Sequence, residues 1–333
     1  PFLVEQLSHH RTTLGEHPGS AVRLEEVIEH RLDELPTAAR GLLEVFAVAG
    51  RPLDLKLANQ AAGLDPHESG AIEFLRTERW VRSRAGASLD LFETYHDRVR
   101  ETVVALLPPD QLPAYHNRLA AALQASGVAD PETLAEHYLL AGERELAARH
   151  ALRAADQAAE ALAFDRAARL YQMGLEVWPH PPAERRKLET RLGDALVNAS
   201  RGEEAARMFL AAAQGAEPDD ALELTRRAGE QFLTSGLIEE GHQALRTVLA
   251  VVGMKIAPTP RRALVSLLFR RAQLAIRGFR FVPRRPSEIR PDTLTRIDIC
   301  WSAALGLAMS DLIHSAHFQV LNLLLALKAG EPF

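Results

Sequence analysis

The side chains that could do chemistry are few, and they do not form a catalytic set. Asp311, His314 and His317 follow one another at three-residue spacing, which places a carboxylate and two imidazoles on one helix face, where they could ligate a metal. The spacing is not that of His-Glu-x-x-His, and no other ligand cluster lies nearby, so we expect helix-packing histidines and no metal site. No Ser/His/Asp order and no nucleophile elbow appears, so we predict no catalytic residues.

Phosphate chemistry also lacks its usual residues. There is no G-x-x-x-x-G-K-[ST] loop to cradle phosphates, and no protein-kinase signature appears. The single cysteine, Cys300, excludes a disulfide framework and a multi-cysteine metal site within one chain, and its apolar neighbours predict a core residue. We therefore predict that these residues alone are not an enzyme and hold no cofactor.

Length and composition limit the class of protein. The 333 residues are enough for two or three domains, and the net charge of −5 argues against a generally basic nucleic-acid binder. We find no signal peptide, and the longest apolar runs, such as Leu321–Leu327, are far below the ~20 residues of a membrane span. We expect a cytoplasmic location, no membrane span and, because residue 1 is Pro, a segment of a larger protein.

The first 107 residues predict a head followed by a small domain with a hairpin. Residues 1–19 form a short head, and residues 20–107 form the domain. The apolar spacing and the breaks at Pro and Gly predict helices at Val22–Asp33, Ala38–Ala49, Leu53–Ala62, Pro66–Thr77 and Asp97–Leu107. Two short alternating runs, Trp80–Arg84 and Leu89–Tyr95, flank a turn of small residues and predict a β-hairpin. Helices, a hairpin and a further helix fit a winged-helix domain.

An internal repeat begins after residue 160. Ala167, Tyr171 and Gly174 have counterparts at the same offsets in two later segments, displaced by 38 and then 36 residues. The counterparts are Ala205, Phe209 and Ala212, and then Gly241, Leu245 and Val248. Upstream of these segments, Leu192-Gly193 and Ala228-Gly229 mark the matching first helices. The pattern resembles the helix pairs of tetratricopeptide repeats, in which small residues let two helices cross closely.

The fold class we predict is mainly α: a winged helix with one small β-hairpin, then a tetratricopeptide-like α-α superhelix over residues 108–333. Such repeats present a concave face, formed by the first helices, to a protein or peptide. The residues we predict to bind a partner there are Arg185, Glu189, Asn198, Arg226, Arg227 and Glu230.

The segment 261–290 has an unusual charge. It contains nine arginines and one acid, Glu288, for a net charge of +8. The patch residues are Arg261, Arg262, Arg270, Arg271, Arg277 and Arg280. The apolar residues that roughly follow one helix face are Leu264, Leu267, Leu268, Leu274 and Ala275. The segment could neutralise the acidic remainder of the chain, bind nucleic acid or bind an anionic membrane surface; we favour the intramolecular role.

The order of these parts resembles the STAND family of signalling ATPases. Pro1-Phe2-Leu3-Val4-Glu5-Gln6-Leu7 resembles the end of that family's ATPase module, and Arg31-Leu32-Asp33-Glu34-Leu35-Pro36 with Leu42-Leu43 resembles the entry to its winged helix. Helical repeats follow in that family as well. The resemblance is strongest to large bacterial regulators with a kinase, cyclase or DNA-binding output.

Tyr95-His96-Asp97 resembles the Met-His-Asp motif of STAND proteins, with Tyr in place of Met. The resemblance implies that His96 contacts the β-phosphate of ADP and that Pro1 packs on the adenine. From its residue type, Asp97 is expected to cap the following helix. ADP or ATP is therefore implied for the full-length protein, held with an upstream ATPase module in cis.

Two functions stay open at this point. The first is a non-catalytic regulatory and protein-interaction arm that holds the ATPase module in its resting state. The second is a nucleic-acid-binding transcription regulator that uses the winged helix or the Arg261–Arg290 segment. Against the second, the predicted recognition helix Pro66–Thr77 carries two acids, Glu68 and Glu73, which suit a phosphate-lined groove poorly.

Overall fold

The computed structural model describes residues 24–65, 70–85, 90–127, 129–254, 257, 259–308 and 311–331. These described residues are mainly helical, with one small sheet. Its internal contacts divide it into two units, the first ending at Ala154 and the second beginning at Ala155. The predicted head at residues 1–19, with Pro1, lies outside the described residues.

The first unit contains a three-stranded sheet among short helices. Its elements are α1 (Leu24–Asp33), α2 (Thr37–Ala49), β1 (Leu53–Asp54), α3 (Leu55–Ala62), α4 (Gly70–Thr77), β2 (Val81–Ala85), β3 (Asp90–Thr94), α5 (Asp97–Leu106), α6 (Leu112–Ser126) and α7 (Pro131–Leu140). Helix α8 (Arg144–Glu160) runs across the boundary into the second unit.

The strand order is β1–β3–β2, and both pairings are antiparallel. The hairpin β2–β3 was predicted, but β1 was not, because Leu53 was assigned to the start of a helix. Asp54 explains the difference, since its side chain accepts hydrogen bonds from the backbone N–H groups of Lys56 and Leu57 and caps α3. The helix therefore begins after Asp54, and Leu53 stays extended opposite Phe92.

Helix α2 forms the centre of the first unit. Leu42, Leu43, Val45 and Phe46 are all buried, although they point to different sides of the helix. A helix that is apolar all round must be covered on every side, and α3, α4, α5, α6 and β3 all contact α2. The contact with α6 joins residues on both sides of position 107, where we placed the domain boundary; that boundary stays a prediction.

The second unit is built from consecutive helices. Its elements are α9 (Phe164–Val177), α10 (Pro182–Asn198), α11 (Gly202–Ala213), α12 (Pro218–Thr234), α13 (Ile238–Val251), α14 (Pro260–Arg277), a short 3-10 turn (Pro286–Glu288), α15 (Pro291–Leu307) and α16 (Leu312–Ala329). Each of α9 to α12 packs on the next helix in the chain, and α15 packs on α16.

The same turn joins three of these helix pairs. The connections 161–163, 199–201 and 235–237 each contain three residues, and their middle residues all adopt the left-handed conformation. These are Leu162 (φ 59°), Ser200 (φ 61°) and Gly236 (φ 84°). Their spacings of 38 and 36 residues equal those of the repeat found in the sequence. The predicted periodicity therefore corresponds to a repeated helix–turn–helix unit.

Small residues set the distance between paired helices. A Cβ at Gly193 of α10 would lie 2.4 Å from the Phe209 ring of α11, and a Cβ at Gly241 of α13 would lie 2.4 Å from the Leu233 side chain of α12. A Cβ at Gly306 of α15 would also meet Leu233, at 2.5 Å. Such distances leave no room for a side chain, as expected for helices that cross closely.

The surroundings of two glycines predict opposite effects of a glycine-to-alanine substitution on the free energy of unfolding. We expect Gly193→Ala to lower the free energy of unfolding by about 1–3 kcal/mol, because the new methyl group meets the buried Phe209 ring. The matched control is Gly41→Ala in α2, where nothing lies within 4 Å of the added Cβ. That change should stabilise by up to about 1 kcal/mol through helix propensity. Urea unfolding of both variants checks this, and equal effects would contradict the packing argument.

Candidate functional site

His96 lies in the turn between β3 and α5. The backbone N–H of Tyr95 donates to the carbonyl of Trp80 at 2.8 Å and so fixes the start of the turn. His96 itself has an extended backbone, and its Nδ1 accepts a hydrogen bond from the backbone N–H of Arg98 at 3.2 Å. His96 therefore caps α5. The prediction that Asp97 is the cap was wrong, because Asp97 is already the first helical residue.

This cap determines which ring nitrogen of His96 carries the proton. Since Nδ1 accepts from the backbone of Arg98, the proton of the neutral ring is on Nε2. The imidazole is exposed, so the Nε2–H can donate to an outside acceptor. The helix N-terminus adds positive potential, which favours an anionic acceptor, although the Asp97 carboxylate opposes it.

Ion pairs hold the elements around this turn. Arg98 bridges to Glu25 of α1 at 3.0 Å and to Glu101 at 3.2 Å. Arg31 of α1 pairs with Glu78 at 2.9 Å, and its guanidinium lies 5.0 Å from the centre of the Trp80 ring. Helix α1 is thereby attached to the chain on both sides of His96: before strand β2 through Arg31, and at the start of α5 through Glu25.

A cavity of about 360 Å³ opens among α9, α10 and α11 in the second unit. Its apolar lining consists of Leu175, Leu192, Leu196, Met208 and Ala211. Charged side chains line it as well, among them the pair Arg185–Glu189, in which Nε and Oε1 are 2.8 Å apart. The structure therefore brings two of the six predicted partner-binding residues together at one concave site.

The other four predicted residues lie elsewhere on α10 and α12. Arg226 pairs with Glu230 at 3.2 Å and donates to the Ser302 hydroxyl of α15. Hydrogen bonding to Glu223 raises the pKa of Arg226. Arg227 contacts Asp194 and stacks over Phe209, and Asn198 donates to the backbone of its own helix. These four residues do not line the cavity, and the role of all six in partner binding stays a prediction.

Ion pairs connect the first helices of successive pairs. Asp156 of α8 pairs with Arg191 of α10 at 3.1 Å, and Asp194 of α10 pairs with Arg227 of α12. We call these contacts the first-helix ion pairs. Tyr171 also donates to Asp156 at 2.5 Å, and burial raises the pKa of its hydroxyl. Sequence reasoning missed Asp156, Arg191 and Asp194, although the spacings of 35 and 33 residues are close to the repeat period.

The arginine patch is held to the protein at only part of its length. Arg277 donates to the carbonyl of Leu327 at 2.7 Å, and Arg270 bonds Gln273 at 3.2 Å. Among the described residues, no ion pair to an acid is formed by Arg261, Arg262, Arg271 or Arg280. Arg277 has a structural contact of the kind we favoured, whereas the role of the other patch residues stays a prediction.

Two of the three candidate metal ligands, Asp311 and His314, have hydrogen-bond partners in the protein, whereas the buried Nδ1 of His317 has none among the described residues. His314 Nδ1 lies 2.6 Å from Asp311 Oδ2, and His314 Nε2 lies 3.0 Å from the carbonyl of Ala257. Asp311 also caps α16 through the backbone N–H of His314. Within the residues that the structure describes, no group of three His, Cys, Asp or Glu side chains could hold a metal. Cys300 is fully buried as predicted, and burial raises the pKa of its thiol to about 12.

A buried histidine pair joins α6 and α7. His116 Nδ1 lies 2.9 Å from His137 Nδ1, so one ring must donate while the other accepts, and both rings cannot be charged. Burial lowers the pKa of both, and that of His137 falls to about 4 with further repulsion from His116 and Arg51. Nothing in the sequence indicated this pairing.

One described helix, α16, is long and apolar enough to cross a membrane by length and composition, with a third of its residues buried. The sequence prediction considered only unbroken apolar runs and therefore did not identify it. The helix packs on α14 and α15.

Comparisons with known proteins do not assign the chain to a family. No family model matches the chain, and no curated protein matches it. A similar solved structure is that of a STAND protein with a tetratricopeptide repeat sensor from Pyrococcus horikoshii, with 13% identity and a TM-score of 0.47. The match covers 100% of this chain and 50% of that one, so the chain spans about half the length of that protein.

The histidine pair predicts how stability depends on pH. The folded pKa of His137 is about 4, whereas the unfolded value is about 6.5. The unfolded chain therefore binds more protons between these values, and the free energy of unfolding should fall as the pH drops from about 6.5 to about 4, by up to ~1.4 kcal/mol per pH unit. Urea unfolding across this range should show a weaker slope for His137→Gln. An unchanged slope in His137→Gln would refute the assignment.

Proposed function

We propose that this chain is a non-catalytic regulatory and protein-interaction arm of a STAND signalling ATPase. The proposal is supported by the residues that resemble this family, by the stacked helix pairs, and by the donor at His96. In this proposal the described elements bind a partner and hold the ATPase module in position. Any ATPase, kinase or cyclase activity belongs to the full-length protein.

In this proposal residues 20–107 form a winged-helix domain, in which the elements α2 to α5 have the characteristic order. The order helix, strand, two helices, two strands and helix supports this, as does the sheet order β1–β3–β2. The strand β1 beside the hairpin is the element that distinguishes such a sheet from an isolated hairpin. Domain bounds at 20–107 and 108–333 remain part of the proposal.

His96 would contact the nucleotide held by an upstream ATPase module. Its Nε2–H is exposed at a helix N-terminus, which fits one phosphate oxygen of ADP. Beside it, Asp97 would repel further phosphates, so the remaining contacts would come from the upstream module. The bound nucleotide would then attach the winged helix to that module and favour the resting state.

The repeats would bind a protein or peptide partner. The single observation that carries this is the cavity over α10, which combines an apolar lining with the Arg185–Glu189 pair. An apolar side chain flanked by polar groups on a peptide would fit such a site. Binding would shift the resting equilibrium only by its difference in affinity for the two states.

Nucleic-acid binding is the second candidate, and the arginine patch favours it. The predicted recognition helix does not favour it. In its described part, α4, the guanidinium of Arg76 pairs with the carboxylate of Glu73 at 3.0 Å, so the positive charge of Arg76 is neutralised. Duplex binding that weakens steeply with salt and is lost in Arg270→Glu/Arg271→Glu would support this function instead.

The nucleotide role predicts different results for two His96 variants in the full-length protein. His96→Ala removes the donor and should speed ADP release by about tenfold or more, since a hydrogen bond to a charged group contributes roughly 1.5–3 kcal/mol. His96→Asp keeps a good helix cap but places a carboxylate near the phosphate, so it should lose ADP at least as fast. Release of a fluorescent ADP analogue measures both.

His30→Ala on the exposed face of α1 is the control and should release ADP at the normal rate. If His96→Ala released ADP faster but His96→Asp did not, His96 would be a helix cap only. Unchanged release in both variants would refute the contact.

The cavity predicts which substitutions weaken peptide binding. Peptides selected by phage display for binding to the chain should bind Met208→Glu at least about tenfold more weakly, because a charge enters the apolar lining. Lys187→Glu, on the exposed face of α10, should leave binding unchanged. Fluorescence polarisation measures the affinities, and equal affinities for Met208→Glu and the unmodified chain would place the partner site elsewhere.

A further inference from the structure

The described part of the chain covers one side of helix α14. The covered residues recur at steps of three and four, as expected for one helix face. Ala263 is buried, Leu267 and Leu274 are half-buried, and α14 contacts α16. Arg277 continues this face through its hydrogen bond to Leu327 of α16.

The opposite side of α14 carries an exposed apolar stripe. We call it the α14 stripe; its members are Leu264 (45% exposed), Val265 (68%), Leu268 (57%), Phe269 (67%) and Ile276 (88%). Since successive residues of a helix are about 100° apart, these five side chains fall within an arc of about 140°. A continuous apolar patch of this kind on a protein surface marks an interaction site.

The segment after α14 extends the same apolar character. Phe279 (68% exposed) and Val282 (77%) follow the helix, and both are uncovered. The segment is fixed to the protein, because the backbone N–H of Arg284 donates to the carbonyl of Gly330 at 2.8 Å. Its exposed apolar side chains are therefore presented from a defined backbone.

Unpaired arginines surround the stripe. On the helical wheel, Arg262 and Arg271 lie at its two edges and Arg261 lies at its N-terminal end. In the part of the chain that the structure describes, none of these three forms an ion pair with an acid. The segment 261–290 has a net charge of +8 within a chain of net charge −5. The occupant of this surface must therefore offer both apolar material and negative charge.

We propose that the α14 stripe and its arginines dock onto an anionic membrane surface. A bilayer interface satisfies both requirements, since phenylalanine and leucine enter the acyl boundary while arginines reach acidic headgroups. A nucleic acid would pair the arginines but leave five large apolar side chains in water. Helix α14 would lie in the membrane plane with its other face still on α16, and nothing would need to span the bilayer. This surface uses neither His96 nor the repeat cavity.

Vesicle flotation with the whole chain tests the proposal. The chain should float with phosphatidylcholine vesicles that contain phosphatidylserine, should stay in solution with pure phosphatidylcholine, and should bind less as salt rises. Arg262→Glu/Arg271→Glu should weaken binding at least about thirtyfold, from the contribution of each arginine near an anionic surface. Leu268→Gln/Phe269→Gln should weaken it as well, and because both side chains are exposed the fold is retained.

The matched control is Lys187→Glu/Arg246→Glu. It makes the same change in charge at exposed positions of α10 and α13, and it should bind vesicles normally. Three outcomes would overturn the proposal. The first is that the chain does not float with vesicles that contain phosphatidylserine. The second is that the control pair loses vesicle binding as much as Arg262→Glu/Arg271→Glu does. The third is that the chain does not float but self-associates as its concentration rises, and that Leu268→Gln/Phe269→Gln abolishes this self-association. Tight duplex DNA binding that needs Arg262 and Arg271 but not Leu268 and Phe269, without flotation, would assign the surface to nucleic acid.

Discussion

The close approach of paired helices is the constraint on which the second unit depends. Gly193 faces the Phe209 ring, while Gly241 and Gly306 both face Leu233. Leu233 belongs to a buried cluster shared by α12, α13, α15 and α16. Because these contacts leave no space for a Cβ, they fix both the separation and the axial position of the helices. The cavity over α10 and the first-helix ion pairs lie where they do as a consequence.

Charges on the first helices follow from that packing. Asp156–Arg191 and Asp194–Arg227 join α8 to α10 and α10 to α12, with an acid on the earlier helix and an arginine on the later one. Partly exposed ion pairs contribute little to stability, about 0–1 kcal/mol each. Their effect is on the alignment of the helices, because a shift of one helix along its axis would separate each acid from its arginine. Arg227 also stacks on Phe209, so its position is fixed by packing as well as by charge.

The first unit is organised around a different centre. Its middle is the apolar helix α2, with Phe46 packed beside Phe92 of the sheet. The turn with His96 lies at the end of strand β3, where a short helix begins. A polar donor placed there can face outward without disturbing the core. The candidate sites therefore lie on separate elements: a turn in the first unit, a cavity between paired helices in the second, and the stripe on α14.

The sequence by itself determined the helices, the hairpin and the period of the repeat, because apolar spacing and the positions of Pro and Gly act over a few residues. It also placed His96 at the start of a helix. It could not decide that His96 rather than Asp97 caps α5, since that depends on which residue has the extended backbone. Only the tertiary structure paired Leu53 with Phe92, which is a contact between distant parts of the chain. Likewise, the sequence showed leucines at helical spacing along α14, but which of these leucines are covered depends on how α14 packs on α16. Leu267 and Leu274 are therefore partly covered while Leu264 and Leu268 are exposed, because a helix can turn only one side toward its neighbour.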